Sequence, residues 1–119
     1  MNKIDKKLTE KQKDFFTNLS MYINTPIYFY GSIYRTDYFP GKSDIDVDIF
    51  TDNESSTIQM LCNYLHLNKS EVRKSFYKIG TTVVRGHKAK YKNDSVGVEV
   101  ELSIYNNKYV KHSGHKILI

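Results

Sequence analysis

Apolar residues return every three to four positions through LTEKQKDFFTNLSMYI, where Phe15, Leu19 and Tyr22 share helical spacing with Phe16 alongside. That spacing predicts a helix opening at Thr9, a capping residue, and stopping at Asn24-Thr25-Pro26, since a residue before proline avoids the helical region. PIYFY, residues 26–30, then reads as a short buried strand running directly into Gly31-Ser32. DYFPGKS, with Pro40 and Gly41, is a loop, and DIDVDIF after it alternates strictly and predicts a second strand. Capping side chains between Asp52 and Ser56 precede a helical stretch, TIQMLCNYLHL, with Ile58, Leu61, Cys62 and Leu65 on one face. SEVRKSFYKI is expected to form a further short helix. The remainder reads as a hairpin: a strand within TTVVRGHKAKY, a turn at Lys92–Ser95, and a strand in VGVEVELSIY. There Val98, Val100, Leu102 and Ile104 alternate with Gly97, Glu99, Glu101 and Ser103.

Composition narrows the setting. A chain of 119 residues with 39% hydrophobic and 26% charged residues is expected to form a single globular domain, with residues 1–8 flexible. No apolar run reaches membrane-spanning length, and the first residues lack the apolar core of a signal peptide. A lone cysteine, Cys62, permits no internal disulfide, so a cytoplasmic, reducing setting is expected, with Cys62 in the core. The balance of 18 basic and 13 acidic residues gives +5, compatible with a nucleotide or nucleic-acid partner and equally with a solvated lysine-rich surface. Arg85, His87, Lys88, Lys90 and Lys92 concentrate part of that charge in the hairpin, either to guide an acceptor or to protect a sheet edge. His66, His87, His112 and His115 form no metal set and are read as surface histidines.

One feature of the pattern is chemically expensive. Asp44, Asp46 and Asp48 stand at every second position, so three carboxylates share a strand face and repel unless a cation screens them. A second strand adds Glu99 and Glu101. Oxygen donors on neighbouring strands suit hard cations such as Mg²⁺, and a pair of such ions clamps the attacking and leaving oxygens of a phosphoryl or nucleotidyl transfer. The apolar residues between the acids exclude a calcium loop of the EF-hand kind. Gly31-Ser32, at a strand end, offers backbone amides and a hydroxyl to a phosphate. Arg35 and Lys42 lie within reach in sequence to neutralise further phosphate charge.

The run of apolar strand, Gly31-Ser32, loop, Ser43-Asp44-Ile45-Asp46 and a second apolar run resembles the signature of the DNA polymerase beta-like nucleotidyltransferase superfamily. The likeness covers residues 26–50 and extends more loosely to 96–106. It implies an α/β (α+β) fold, a small mixed β-sheet backed by helices. It also implies two Mg²⁺ ions and transfer of a nucleoside monophosphate from an NTP to an acceptor hydroxyl. By position, Gly31 and Ser32 are expected to bind the triphosphate with Arg35, Lys42 and Ser43. Asp44, Asp46 and Glu101 are expected to hold metal, with Glu99 the alternative to Glu101 and Asp48 structural. The family's usual Gly-Ser-x-x-Arg-Gly is broken here by Thr36 after Arg35. The likeness is to the minimal members, some of which act beside a helical partner protein. The acceptor is then a nucleic acid, a small molecule or a protein hydroxyl, and a partner or self-association is expected. A non-catalytic module binding a partner or nucleic acid on the same fold is the other class.

Overall fold

The computed structural model of the chain describes residues 6–79 and 81–110. Its elements in order are α1 (Glu10–Ile23), β1 (Ile27–Tyr30), β2 (Ile45–Thr51), α2 (Glu54–Leu65), β3 (Arg73–Ile79), β4 (Thr82–Tyr91) and β5 (Val100–Asn106). The strands form one sheet in the order β1-β2-β5-β4-β3. Only β2 and β5 run parallel; every other neighbouring pair is antiparallel. This is the mixed sheet backed by helices that the motif implied. None of the described helices is long and apolar enough to cross a membrane.

Both helices form for local reasons. The Thr9 hydroxyl accepts from the Gln12 amide while the Gln12 side chain accepts from the Thr9 amide, a reciprocal cap on α1. Asn24, at φ 52°, ends it in the left-handed conformation that asparagine tolerates. Asn53 caps α2 by accepting from the Ser56 amide at 3.0 Å. Phe15, Phe16, Leu19 and Ile23 of α1 and Leu61 and Leu65 of α2 join Ile27, Phe29, Ile45, Val47, Ile49, Val100, Leu102 and Ile104 in one core. Each such side chain stabilises the fold by roughly 1.5–3 kcal/mol on burial. Tyr22 sits at the margin of the helical stripe, 47% exposed, against Tyr64.

Three expectations need correction. SEVRKSFYKI contributes one tight turn, Lys69–Glu71, closed by Glu71 accepting from the Asn68 amide at 2.7 Å, and then β3, because the backbone from Arg73 to Ile79 pairs with β4 and overrides the helical spacing of its apolar residues. β5 starts at Val100; before it the Val96 and Gly97 amides both turn back to the Asn93 carbonyl, and Val96 and Val98 drop into the core. The N-terminal segment is not loose throughout. Leu8 is buried, and the Lys7 carbonyl accepts from the Tyr38 hydroxyl at 2.9 Å; residues 1–5 lie outside the described residues.

Candidate active site

With the helices on one face, the pleat sends the remaining side chains of β2 and β5 to the other. Register then decides which groups meet. Asp46 lies opposite Glu101 across the parallel β2–β5 pair, and Asp48 opposite Ser103. On the far side of β2, Tyr30 lies opposite Asp46 and Tyr28 opposite Asp48. On the far side of β5, Lys90 lies opposite Glu101 and Lys88 opposite Ser103. Two rows result: Tyr30, Asp46, Glu101, Lys90, and below it Tyr28, Asp48, Ser103, Lys88. Phe50, Tyr105 and Val84 close the lower end of this face as a small apolar cluster. The aspartates therefore do not share one exposure. Asp44 precedes the strand and is exposed, Asp46 is half-buried, and Asp48 is 2% exposed.

The Gly31-Ser32 turn closes the upper end. Gly31 has φ +65°, which favours glycine, and a Cβ built on it would stand 2.9 Å from Asp46 Oδ2 and push that carboxylate aside. That close approach brings the Ser32 amide to 3.3 Å and its hydroxyl to 3.0 Å from the same Asp46 oxygen. The hydroxyl also lies 2.9 Å from the Asp44 carbonyl, so its single hydrogen is shared between two acceptors. Two donors thus converge on one anionic oxygen, as they would on a phosphate oxygen.

Ser32, Arg35, Asp37, Tyr38, Ser43 and Asp44 line a cavity of about 250 Å³ beside this turn. Arg35 is there but is held by both oxygens of Asp37, at 3.0 and 2.8 Å. Ser43 accepts from the Phe39 amide at 2.8 Å. Lys42 is not part of the lining; its ammonium sits 5.3 Å from the centre of the Phe39 ring.

Glu101 is drawn to the opposite side, where Lys88 Nζ is 3.4 Å from its Oε1. Glu99 lies before β5 and faces Lys90 at 4.0 Å, so register puts Glu101 rather than Glu99 beside Asp46. Among the described residues no three His, Cys, Asp or Glu side chains converge closely enough to hold a metal ion. Asp46 pairs with Ser32 and Glu101 with Lys88.

Tyr30 is the group that sequence reasoning missed. Burial, then the charges of Asp48, Asp46 and Glu101, push its phenol up to about 12, partly offset by a hydrogen bond with Ser103. Its alternation with Ile27 and Phe29 in IYFY put it on the acidic face, but only strand pairing placed it beside Asp46. Of the histidines, His87 Nδ1 lies 3.4 Å from Glu54 at the start of α2, away from the acidic face; His112 and His115 fall outside the described residues.

No protein-family model and no curated protein matches the chain. Among solved structures, it is similar to a cytoplasmic RNA terminal U-transferase, with TM-score 0.45 and 12% identity over 82% of this chain and 32% of that one. It is also similar to the Cid1 RNA terminal uridylyl transferase (0.40, 12%, over 82% and 32%) and to the GLD-2/RNP-8 complex (0.39, 14%, over 87% and 43%). The chain spans about a third of the length of the first two.

Proposed function

We propose that this chain is a Mg²⁺-dependent nucleotidyltransferase that moves a nucleoside monophosphate from an NTP to an acceptor hydroxyl. The observation that supports this reading is the register that sets Asp46 level with Glu101, with the Ser32 amide and hydroxyl both donating to Asp46. The donor set is all oxygen and anionic, which fits a hard divalent cation, and Asp44 at the mouth of β2 adds a third carboxylate. Asp44, Asp46 and Glu101 would hold two Mg²⁺. Bound there, the ions supply charge neutralisation at the transferring phosphate.

The chain's own groups do the rest. The Ser32 amide and hydroxyl, released from Asp46, donate to the β- and γ-phosphate oxygens. Arg35 and Ser43 line the adjoining cavity, and Arg35 trades Asp37 for phosphate. The acceptor oxygen forms a bond to the α-phosphorus as the α–β anhydride bond breaks. Pyrophosphate leaves, and Glu101 would take the hydroxyl proton. Tyr30 stays a neutral phenol beside these acids, a donor and never a competing anion.

Thermal unfolding with Mg²⁺ and each NTP tests the reading without knowledge of the acceptor. A ligand at about 100 times its Kd stabilises by about 2.7 kcal/mol, which moves a domain of this size by several degrees. The rise is expected with Mg²⁺ and at least one NTP together and is expected to vanish in Asp46→Asn. No rise with any NTP, or an equal rise in the variant, removes the site assignment.

A further inference from the structure

The helices cover only part of their side of the sheet. On that side β4 presents Val83, Arg85, His87, Ala89 and Tyr91, since His87 and Ala89 lie level with the core residues Ile104 and Leu102. Tyr91 stacks on Phe15 of α1, Ala89 is buried, and His87 lies 3.4 Å from Glu54 of α2. Past His87 the cover ends. Lys74, Phe76 and Lys78 of the edge strand β3 lie opposite His87, Arg85 and Val83, and Lys74, Lys78 and Arg85 are exposed. Phe76 is 62% exposed and Val83 43%. Lysines on an edge strand guard it against pairing with another chain. That role explains neither Arg85, on an inner strand, nor an uncovered phenyl ring between the two lysines. Among the described residues, none of Lys74, Lys78 and Arg85 is in an ion pair.

We infer that this uncovered corner of the sheet binds single-stranded nucleic acid, with a base stacked on the Phe76 ring and phosphates on Lys74, Lys78 and Arg85. Every base has a flat π-face, and an exposed aromatic ring on a sheet surface is a platform on which unpaired bases stack. Val83, diagonal to Phe76 across the strand pair, widens the apolar floor. Alternate side chains of β3 stand about 7 Å apart, so the ring has an ammonium on either side and the Arg85 guanidinium across from it. A polyanion meets uncompensated positive charge there. A second copy of this corner would set the three cations against their own kind. An acidic peptide would leave the ring without a stacking partner, and a duplex hides its base faces. The corner lies on the side of the sheet away from Asp46 and Glu101, so binding needs no metal and does not depend on the transfer reading.

Anisotropy of a labelled oligouridylate of about 12 nucleotides, in EDTA and without NTP, tests this, with every variant checked for folding by circular dichroism. Phe76→Thr keeps a strand-favouring residue and removes the ring. It is expected to weaken binding about fivefold or more and to leave the salt dependence unchanged. Phe76→Tyr restores a ring and is expected to bind like the parent. Lys74→Gln, Lys78→Gln and Arg85→Gln are each expected to flatten the slope of log K against log salt by about 0.7, one phosphate contact on a single strand. Duplex RNA of the same length is expected to be indifferent to Phe76→Thr. Parent-like binding by Phe76→Thr overturns the inference. So does oligoglutamate that displaces the label as well as unlabelled oligouridylate does, which would make the corner a site for acidic peptide. A dimer of the parent that Phe76→Thr dissociates in sedimentation assigns the corner to a second copy and overturns it too. With metal and NTP absent, the result leaves the NTP-dependent melting shift untouched, so each reading fails alone.

Discussion

At the residue scale, two side-chain decisions shape the site. Gly31 lets the chain turn at φ +65° hard against Asp46. Gly31→Ala would force both the left-handed conformation and a contact at 2.9 Å, so it is expected to lose about 1–3 kcal/mol and drop the melting temperature by several degrees. It also pushes Asp46 from Ser32, so the NTP-dependent stabilisation is expected to disappear even where the protein remains folded. Tyr30 makes a prediction in pH. Its phenol is raised from 10.0 to about 12, so the neutral form is favoured by folding. That contribution is complete below pH 10 and is lost as pH rises from 10 towards 12, since the unfolded chain then releases a proton that the folded one keeps. Tyrosinate absorbance on alkaline titration is expected to show a late-titrating phenol that Tyr30→Phe removes.

At the element scale, the sheet's register is pinned by packing as well as by hydrogen bonds. Gly86 lies opposite Tyr105, and a Cβ there would stand 2.3 Å from the ring and 2.6 Å from the Ile104 carbonyl. Since a one-residue slip would send every side chain of β4 to the wrong face, this contact also keeps Lys88 and Lys90 beside Glu101. Gly86→Ala is expected to cost about 1–3 kcal/mol of stability by overpacking, seen as a lower urea midpoint with little change in slope. The elements themselves were largely legible. Strict alternation gave β2, and helical spacing with capping residues gave α1 and α2, because those periods follow from backbone geometry alone. β3 was not legible. Val72, Phe76 and Ile79 stand at helical spacing, yet Phe76 is 62% exposed; the strand state comes from pairing with β4.

At the scale of the whole molecule, the acidic face is an arrangement that is unfavourable until something neutralises it. Tyr30 is raised first by burial and then by the charges of Asp48, Asp46 and Glu101 around it. Asn at position 46 can still accept from Ser32 and carries no charge. Asp46→Asn is therefore expected to melt no lower than the parent without divalent cation, and up to about 1 kcal/mol more stable from relieved repulsion. Stability is then gained where nucleotide binding is lost. Parallel melts of the two proteins in EDTA check the sign.

The sequence by itself determined that Asp46 and Asp48 share a strand face, that Gly31-Ser32 follows a strand end, and that two capped amphipathic helices form. Each is a matter of local period or local backbone freedom, which the order of residues specifies directly. Only the tertiary structure decided that β5 lies parallel beside β2 with Glu101 level with Asp46, that Asp48 is buried while Asp44 is exposed, and that Tyr30 and Lys88 stand at the carboxylates. Those are facts of register and of which strands become neighbours. They arise when the 48 residues between β2 and β5 fold back to bury Val100, Leu102 and Ile104 against the helices, and no local pattern encodes them.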